Sequence, residues 1–508
     1  MVQSLNVAVI GGGAGGLVVP LGLEGTGVHC DLFESGRELG GNVRTRVLEG
    51  HIVETGAEFV GKRKSYPTVW TLLDIVGCQP TAFNLSTQII NHNDDANKIN
   101  VTLPPVLLTA ENDGNCCSCL GFFSSGPQKG VRVDMHSLFN ELFNTMQMGF
   151  VSQIAPELPS EENRTVTLKE ACNAFIHREV RFIGTTAPRD LVEKRRNFIE
   201  HVLVPMIAAS YGKKISEIGS FGCHAAFNYL NLGSQWYDIG EGWKSVLDGV
   251  VERCKDATFK TNSEVDEVVK VAQPDGTPLY MIRLANGQFV IDSETNQPKL
   301  YNEVVFATPL DVLRDKLLPN DDKNQALKQG LAGVTYYPTT VVYSRDTRYQ
   351  STTGSVARVD VYGDTAIFSV TKEWKFKDDI EKGLQPIVKT WCYPGFEPKN
   401  VIHSESFSHL NLDDGYRTAQ IAIRLHQGKN GLHYSGAGAS YNDSNNAACR
   451  AAIEAAYRIA KKYELLDSAT YLKKFMDEND HLLPENTDQL LTFPESKDEV
   501  RSAAAMSA

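Results

Sequence analysis

Asn6-Val-Ala-Val-Ile10 is a short apolar run that leads straight into glycines, the pattern of a parallel strand buried on both faces. Residues 17–23 continue as an apolar helix, and residues 28–33 read as a second strand. From residue 62 to about residue 233 the pattern turns to amphipathic helices with long connections, clearest at 66–76 and 135–150. Residues 91–129 are polar, rich in Gly and Asn and weakly patterned, and read as an insertion or long loop. Near Trp236 compact α/β patterning returns, with a helix at 245–254, strands at 264–271 and 279–284, and Asn286-Gly287 as a hairpin turn. An apolar strand at 301–308 ends at Pro309, and 339–344 and 365–370 are rich in β-formers. Residues 431–436 form a last short strand, followed by an alanine-rich helix at 446–461. The tail from Asp467 holds one helix and an alanine-rich end.

Composition narrows the class. A chain of 508 residues exceeds one ordinary core, so two intertwined domains are expected. The formal charge of −12 argues against a nucleic-acid surface, which needs clustered Lys and Arg, and against an anionic membrane partner. No uninterrupted apolar run reaches about 18 residues, and no charged and apolar leader precedes the first strand. A soluble, cytoplasmic protein without a membrane span is therefore expected. Of the ten cysteines only Cys116, Cys117 and Cys119 cluster, and no second Cys/His pair stands at a matching spacing. A reduced surface loop and no metal are expected there. Triplets at Asn84, Asn100 and Asn163 match the glycosylation pattern, which is common by chance.

Gly11-Gly-Gly13-Ala14-Gly15-Gly16 is a G-x-G-x-x-G turn between a strand and a helix, and Glu34 closes the second strand 18 residues after Gly16. In such a unit Gly11 permits the tight turn, Gly13 admits backbone close to a pyrophosphate, and Gly16 lets helix and strand pack closely. Phosphates sit on the unpaired N–H groups at the positive end of the helix, and Glu34 accepts hydrogen bonds from a ribose. A carboxylate there fits NAD or FAD and disfavours a 2′-phosphate. The competing reading is an ordinary βαβ turn with a solvated Glu.

The segment Glu34-Ser35-Gly-Arg-Glu-Leu-Gly-Gly41-Asn42-Val-Arg44-Thr45, followed by Glu54-Thr-Gly56-Ala57-Glu58-Phe59, decides between the two cofactors. Here the chain resembles the FAD-dependent amine oxidase superfamily, which takes in amine oxidases, protoporphyrinogen oxidases, carotenoid desaturases and some fatty-acid double-bond isomerases. Later segments match as well. Val265 aligns with the family valine whose backbone contacts adenine, and Ala307-Thr308-Pro309 with the strand end that approaches the cofactor. Gly436 to Ala452 matches the closing motif, where a helix N-terminus faces the flavin pyrimidine. A plain helix cap is the competing account of Asn445, Asn446 and Ala447. The resemblance thus implies FAD, held by Gly11, Gly13, Ala14, Gly15, Gly16, Glu34, Ser35, Gly41, Asn42, Arg44, Gly56, Ala57, Glu58, Val265, Ala307, Gly436, Ala437, Asn446 and Ala447. Two positions depart from the pattern. Asn42 stands where the family usually has Arg, and Ala437 where many members have an acid that binds the ribityl chain.

The implied fold class is α/β, a Rossmann-type FAD-binding domain interleaved with an α+β substrate domain. Segments 1–61, 235–312 and 401–465 fall to the first, 62–234 (with the insertion near 91–129) and 313–400 to the second, and 466–508 to a tail. No second G-x-G-x-x-G lies in a βαβ unit, so the flavin exchanges a hydride directly with the substrate or with a dissociable partner. The lysine that holds a water at the flavin in amine oxidases is absent from Thr339-Thr-Val-Val-Tyr-Ser344. Tyr441 and Trp391 are the catalytic candidates, as aromatic rings beside the reacting carbon. Phe59, Val60, Arg63 and Tyr393 are the candidate substrate contacts for a small organic or lipid-like molecule. Core or rim packing competes for each aromatic, and a solvated basic turn for Lys62, Arg63 and Lys64. His224 and 227–229 are as well explained by packing. Three functions stay open: an FAD-dependent oxidoreductase, a redox-neutral double-bond isomerase of a polyunsaturated lipid, and a flavin-binding protein without turnover.

Overall fold

The computed structural model describes residues 5–63, 66–84, 86–93, 100–103, 166–177, 181–182, 185–186, 191–228, 235–319, 322–350, 356–372, 375–393, 396–440 and 442–478. The helix expected at 135–150, together with Lys64, Cys116, Cys117, Cys119, Asn163, Tyr229 and Tyr441, lies outside these residues. The chain divides into two compact units. Unit 1 comprises Met1–Thr81, Asp238–Tyr337 and His409–Ala508, and unit 2 comprises Ala82–Tyr237 and Pro338–Ser408.

Unit 1 is built on strands β1 (Asn6–Ile10), β2 (His29–Phe33), β3 (Ala257–Lys260), β4 (Glu303–Phe306) and β5 (Leu432–Tyr434). They form one sheet in the order β3-β2-β1-β4-β5, with every adjacent pair parallel. The apolar runs read from sequence become its centre: β4 is buried at all positions, whereas edge strand β3 is half-buried. That order is the doubly wound one, in which a ligand crevice opens beyond the carboxyl ends of the strands.

Two strands are shorter than their apolar runs. Tyr301 leaves the β4 ladder to pair with Tyr280, and Pro309 caps a short helical turn at Leu310–Val312. Gly431 and Gly436, at φ +77° and +85°, turn the chain away at either end of β5.

Among the helices of unit 1 are α1 (Ala14–Leu23), α2 (Pro67–Val76), α3 (Trp243–Arg253) and α4 (Asn445–Lys462). Helix α1 begins at Ala14 rather than at residue 17, because packing overrides the poor helix propensity of Gly15 and Gly16. Its residues are buried along the whole length, and α4 lays alanines against it at helical spacing: Ala448, Ala452, Ala455 and Ala456 are all buried. At Gly22 a Cβ would come within 2.7 Å of the Ala456 methyl, so the two helices approach as closely as backbone allows.

Two buried carboxylates of unit 1, Asp31 and Glu303, are paired. Asp31 accepts hydrogen bonds from Lys299 (2.6 Å) and Tyr301 (2.7 Å), which outweigh the upward push of burial and hold its carboxyl below the usual range. Glu303 takes His433 at 2.8 Å and the Tyr463 hydroxyl at 2.6 Å, tying β4 to β5 and to the end of α4. An antiparallel hairpin, Val265–Ala272 with Pro278–Leu284, stands apart from the parallel sheet. Beyond it, Asn286-Gly287 makes the expected turn, with Gly287 N–H donating to the Leu284 carbonyl.

Unit 2 carries a seven-stranded mixed sheet, in the spatial order Val401–Leu410, Tyr336–Ser344, Val388–Cys392, Thr365–Thr371, Val356–Tyr362, Ser86–Asn91, Asn100–Leu103. Its helices include Leu168–His177 and a continuous run from Leu191 to Tyr211 interrupted by a π-turn at Ile199–Leu203. Among the described residues no helix is long and apolar enough to cross a membrane.

Candidate functional site

The glycine turn sits where β1, β2 and β4 end. Gly11 N–H donates to the Phe33 carbonyl (2.8 Å), and Ala307 N–H donates to Ile10. Gly11 has φ +108°, and a Cβ there would lie 2.4 Å from the Ala307 carbonyl oxygen. A Cβ on Gly16 would lie 1.8 Å from the Gly11 carbonyl oxygen, so the helix can start at this point only with glycine. Gly15 is equally constrained from another direction: its Cβ would meet the Gly436 Cα at 2.4 Å. Ser435 Oγ donates to the Gly15 carbonyl at 2.7 Å, fixing the closing motif against the first turn of α1.

Glu34 points back at this turn. Its carboxylate accepts N–H groups from Gly12 (2.7 Å) and Gly36 (2.6 Å), and the neighbouring Ser35 hydroxyl donates to it at 3.2 Å. Ser263 N–H donates to the Glu34 carbonyl and Asn262 N–H to Gly36, which brings buried Val265 alongside.

The second glycine pair covers the turn: Gly40 N–H donates to the Gly12 carbonyl, and a Cβ on Gly41 would approach the Gly13 Cα to 3.0 Å. Asn42 is exposed, and its carbonyl accepts the Ala57 N–H at 2.9 Å. Arg44 folds its Nε–H onto the Gly41 carbonyl at 2.9 Å, while its own carbonyl accepts the Thr55 N–H.

A network with no signature along the sequence locks the next segment. Glu54 Oε1 accepts both the Thr45 hydroxyl and the Trp243 N–H at 2.7 Å, and Trp243 Nε1–H donates to the Glu58 carbonyl at 2.8 Å. Gly56, Ala57 and Phe59 stay half-buried on this framework, whereas Glu58 and Val60 are buried. Thr45 and Glu54 belong to the family-like motif, but only the fold reveals Trp243, about two hundred residues away, as their partner. No local pattern carries that signal.

The closing motif completes the set. Ser444 caps α4 by accepting the Ala447 N–H at 3.2 Å, and Asn445, Asn446 and Ala447 form the first turn of the helix. Asn446 does more: its Oδ1 accepts the Val69 N–H of α2 at 3.1 Å. Gly436 and Ala437 are half-buried at the end of β5. Burial pushes the carboxyl of nearby Asp443 up to about 6, with its own backbone N–H pulling the other way.

Unit 1 therefore brings together the glycine turn and Glu34 to Arg44. It adds Gly56 to Glu58, Val265, Ala307, Gly436, Ala437, Asn446 and Ala447. These residues fit an adenine dinucleotide with a flavin. Glycines take the places where side chains would crowd the backbone, the first turn of α1 meets the chain just beyond β5 at Gly15 and Gly436, and the buried Thr308 Oγ1 and Asp443 Oδ1 atoms lack a hydrogen-bond partner within the described chain.

Arg63 is exposed, stacked on Trp70 and paired with Asp74 at 2.7 Å. In unit 2, Trp391 packs on Phe368 with ring centroids 4.9 Å apart, and the buried Lys389 places its Nζ 4.4 Å from the Trp391 ring centroid. An isolated lysine in an apolar strand carries no motif, so nothing along the chain marks Lys389. Tyr393 donates its hydroxyl to Glu217 at 3.3 Å.

The sheet order and this glycine-lined turn define a dinucleotide-binding flavoprotein. Residues 14–362 match the family model for flavin containing amine oxidoreductase, and the chain belongs to that family. FAD is its cofactor. Solved structures with the same fold include a CLA-producing fatty acid isomerase from P. acnes, with TM-score 0.57 and 12% identity over 90% of this chain and 98% of that one. A cyclohexylamine oxidase from Brevibacterium oxydans IH-35A gives 0.57 and 12% over 91% of this chain and 100% of that one. A putrescine oxidase variant gives 0.56 and 13% over 90% and 100%. At such identities the likeness is one of fold.

Proposed function

We propose that this flavin-dependent oxidoreductase takes a hydride from a C–H bond of a small organic or lipid-like substrate. Unit 1 holds FAD through the glycine turn, Glu34 and the closing motif, and unit 2, with Trp391 and Tyr393, carries side chains that select the substrate. The observation behind the reading is the meeting of Glu34, the glycine turn and the closing motif in one unit, from distant stretches of chain. Bound FAD supplies the two-electron acceptor. The chain would orient it: Glu34 would receive the ribose end, and the first turn of α4, fixed by Ser444 and Asn446, would present its positive end to the pyrimidine.

Two observations favour a second reading, double-bond isomerisation of an unsaturated lipid. Strand Tyr336–Ser344 carries no lysine, and one structural relative is a fatty acid isomerase. Anaerobic mixing with amines, amino acids and unsaturated fatty acids tests both. Bleaching of the flavin band with peroxide release on admitting air supports the oxidase. A new conjugated-diene absorbance without peroxide supports the isomerase. No bleaching and no diene across the whole panel overturns both in favour of a flavin protein without turnover.

A further inference from the structure

We propose that Asp443 is a direct flavin contact, closing the polar edge of the cofactor at the loop before α4, the part that Ala437 leaves without an acidic side chain. The inference rests on the FAD assignment and concerns one residue of unit 1.

Hydrogen bonds hold the described residues on either side of Asp443. Ser440 Oγ lies 2.7 Å from both the Gly436 and the Ala447 carbonyls, bridging the start of the motif to the helix. Tyr416 and Gln420 both donate to the Ser440 carbonyl. Asn442, buried, accepts the Ser444 N–H at 2.9 Å, and Ser444 accepts the Ala447 N–H. The polar side chains on either side of Asp443 are thus satisfied within the protein.

Asp443 differs. The residue is half-buried and its own backbone N–H acts on the carboxyl, yet its Oδ1 atom is buried with no hydrogen-bond partner among the described residues. A buried carboxyl oxygen left unpaired is costly, and such atoms in folded proteins ordinarily meet a ligand, an ion or water. A cation is a poor occupant here, because among the described residues no group of three or more His, Cys, Asp or Glu side chains gathers to hold a metal.

A flavin fits. Its pyrimidine edge and ribityl chain offer both donors and acceptors, and a carboxyl at the mouth of α4 can serve either. The position is fixed relative to the phosphate end as well, since Ser435 and Gly436 lock this loop onto Gly15.

The test uses the full chain, stripped of cofactor and titrated with FAD, with affinity read by fluorescence and with the bound flavin's absorbance bands and midpoint potential recorded. Asp443→Ala is expected to bind FAD roughly tenfold more weakly. Asp443→Asn, nearly isosteric, is expected to restore most of the affinity while shifting the bands and the potential. Should Asp443→Ala fail to fold, a shift in Asp443→Asn still carries the proposal. Both variants matching the wild type in affinity, bands and potential overturn it and leave the FAD assignment intact. A wild-type chain that takes up no FAD removes the cofactor assignment first, and the proposal with it.

Discussion

At Gly16 the site depends on a single missing atom. A methyl there would stand 1.8 Å from the Gly11 carbonyl oxygen, and that oxygen belongs to backbone clamped between β2 and β4, so it has nowhere to move. Gly16→Ala is expected to destabilise unit 1 by on the order of 3 kcal/mol and to yield protein without flavin colour. Gly50 supplies the control. It has φ +86° but nothing within 4 Å of where a methyl would stand, so Gly50→Ala meets backbone strain alone. Its cost is about 1 kcal/mol, with FAD retained. Urea unfolding and the visible spectrum of the two variants separate steric exclusion from conformational strain. Equal loss of colour in both would mean that the close approach at Gly16 is unimportant.

Among elements, the turn Thr347–Tyr349 shows how one carboxylate organises a corner of unit 2. Asp346 caps the turn by accepting the Arg348 N–H at 3.1 Å, pairs with the Arg348 guanidinium, and accepts the Lys399 N–H at 2.7 Å. The Arg348 hydrogen bond is the main reason its carboxyl is held down at about 2. A depressed acid stabilises the fold fully above its unfolded value of about 3.9, and the contribution fades as pH falls toward 2. Asp346→Asn is therefore expected to lower stability by about 1–2 kcal/mol at pH 7, a figure reduced for the half-exposed Arg348. The gap to wild type narrows steadily below about pH 4. Urea midpoints measured from neutral pH down to about pH 3 check this; a gap independent of pH would place the effect in packing instead.

For the molecule as a whole, ligand binding and folding are linked. The cofactor residues come from three separated stretches of unit 1, so FAD binds the folded unit and has no matching site on the unfolded chain. Free FAD at about 100-fold excess over its Kd is expected to add about 2.7 kcal/mol, a rise of several degrees in Tm, and the Gly16→Ala variant is expected to show no rise. Differential scanning of stripped protein with and without FAD decides it; an unchanged wild-type Tm contradicts the site.

Local chemistry alone determined the strand-turn-helix at the N-terminus, the role of its glycines, the acid at residue 34, the hairpin turn at Asn286-Gly287 and the alanine-rich closing helix. Each of these rests on interactions within a few residues, where periodicity and backbone sterics leave one solution. Tertiary structure alone decided that β4 stops at Phe306, that Trp243 braces Glu54 and Glu58, that Gly15 must accept Gly436, that Trp391 packs on Phe368, and that Asp443 keeps a buried oxygen without a partner among the described residues. Most of those facts depend on pairs separated by long stretches of chain. Which of many polar or small residues meets which is set by packing of the whole unit, and no pattern along the sequence encodes it.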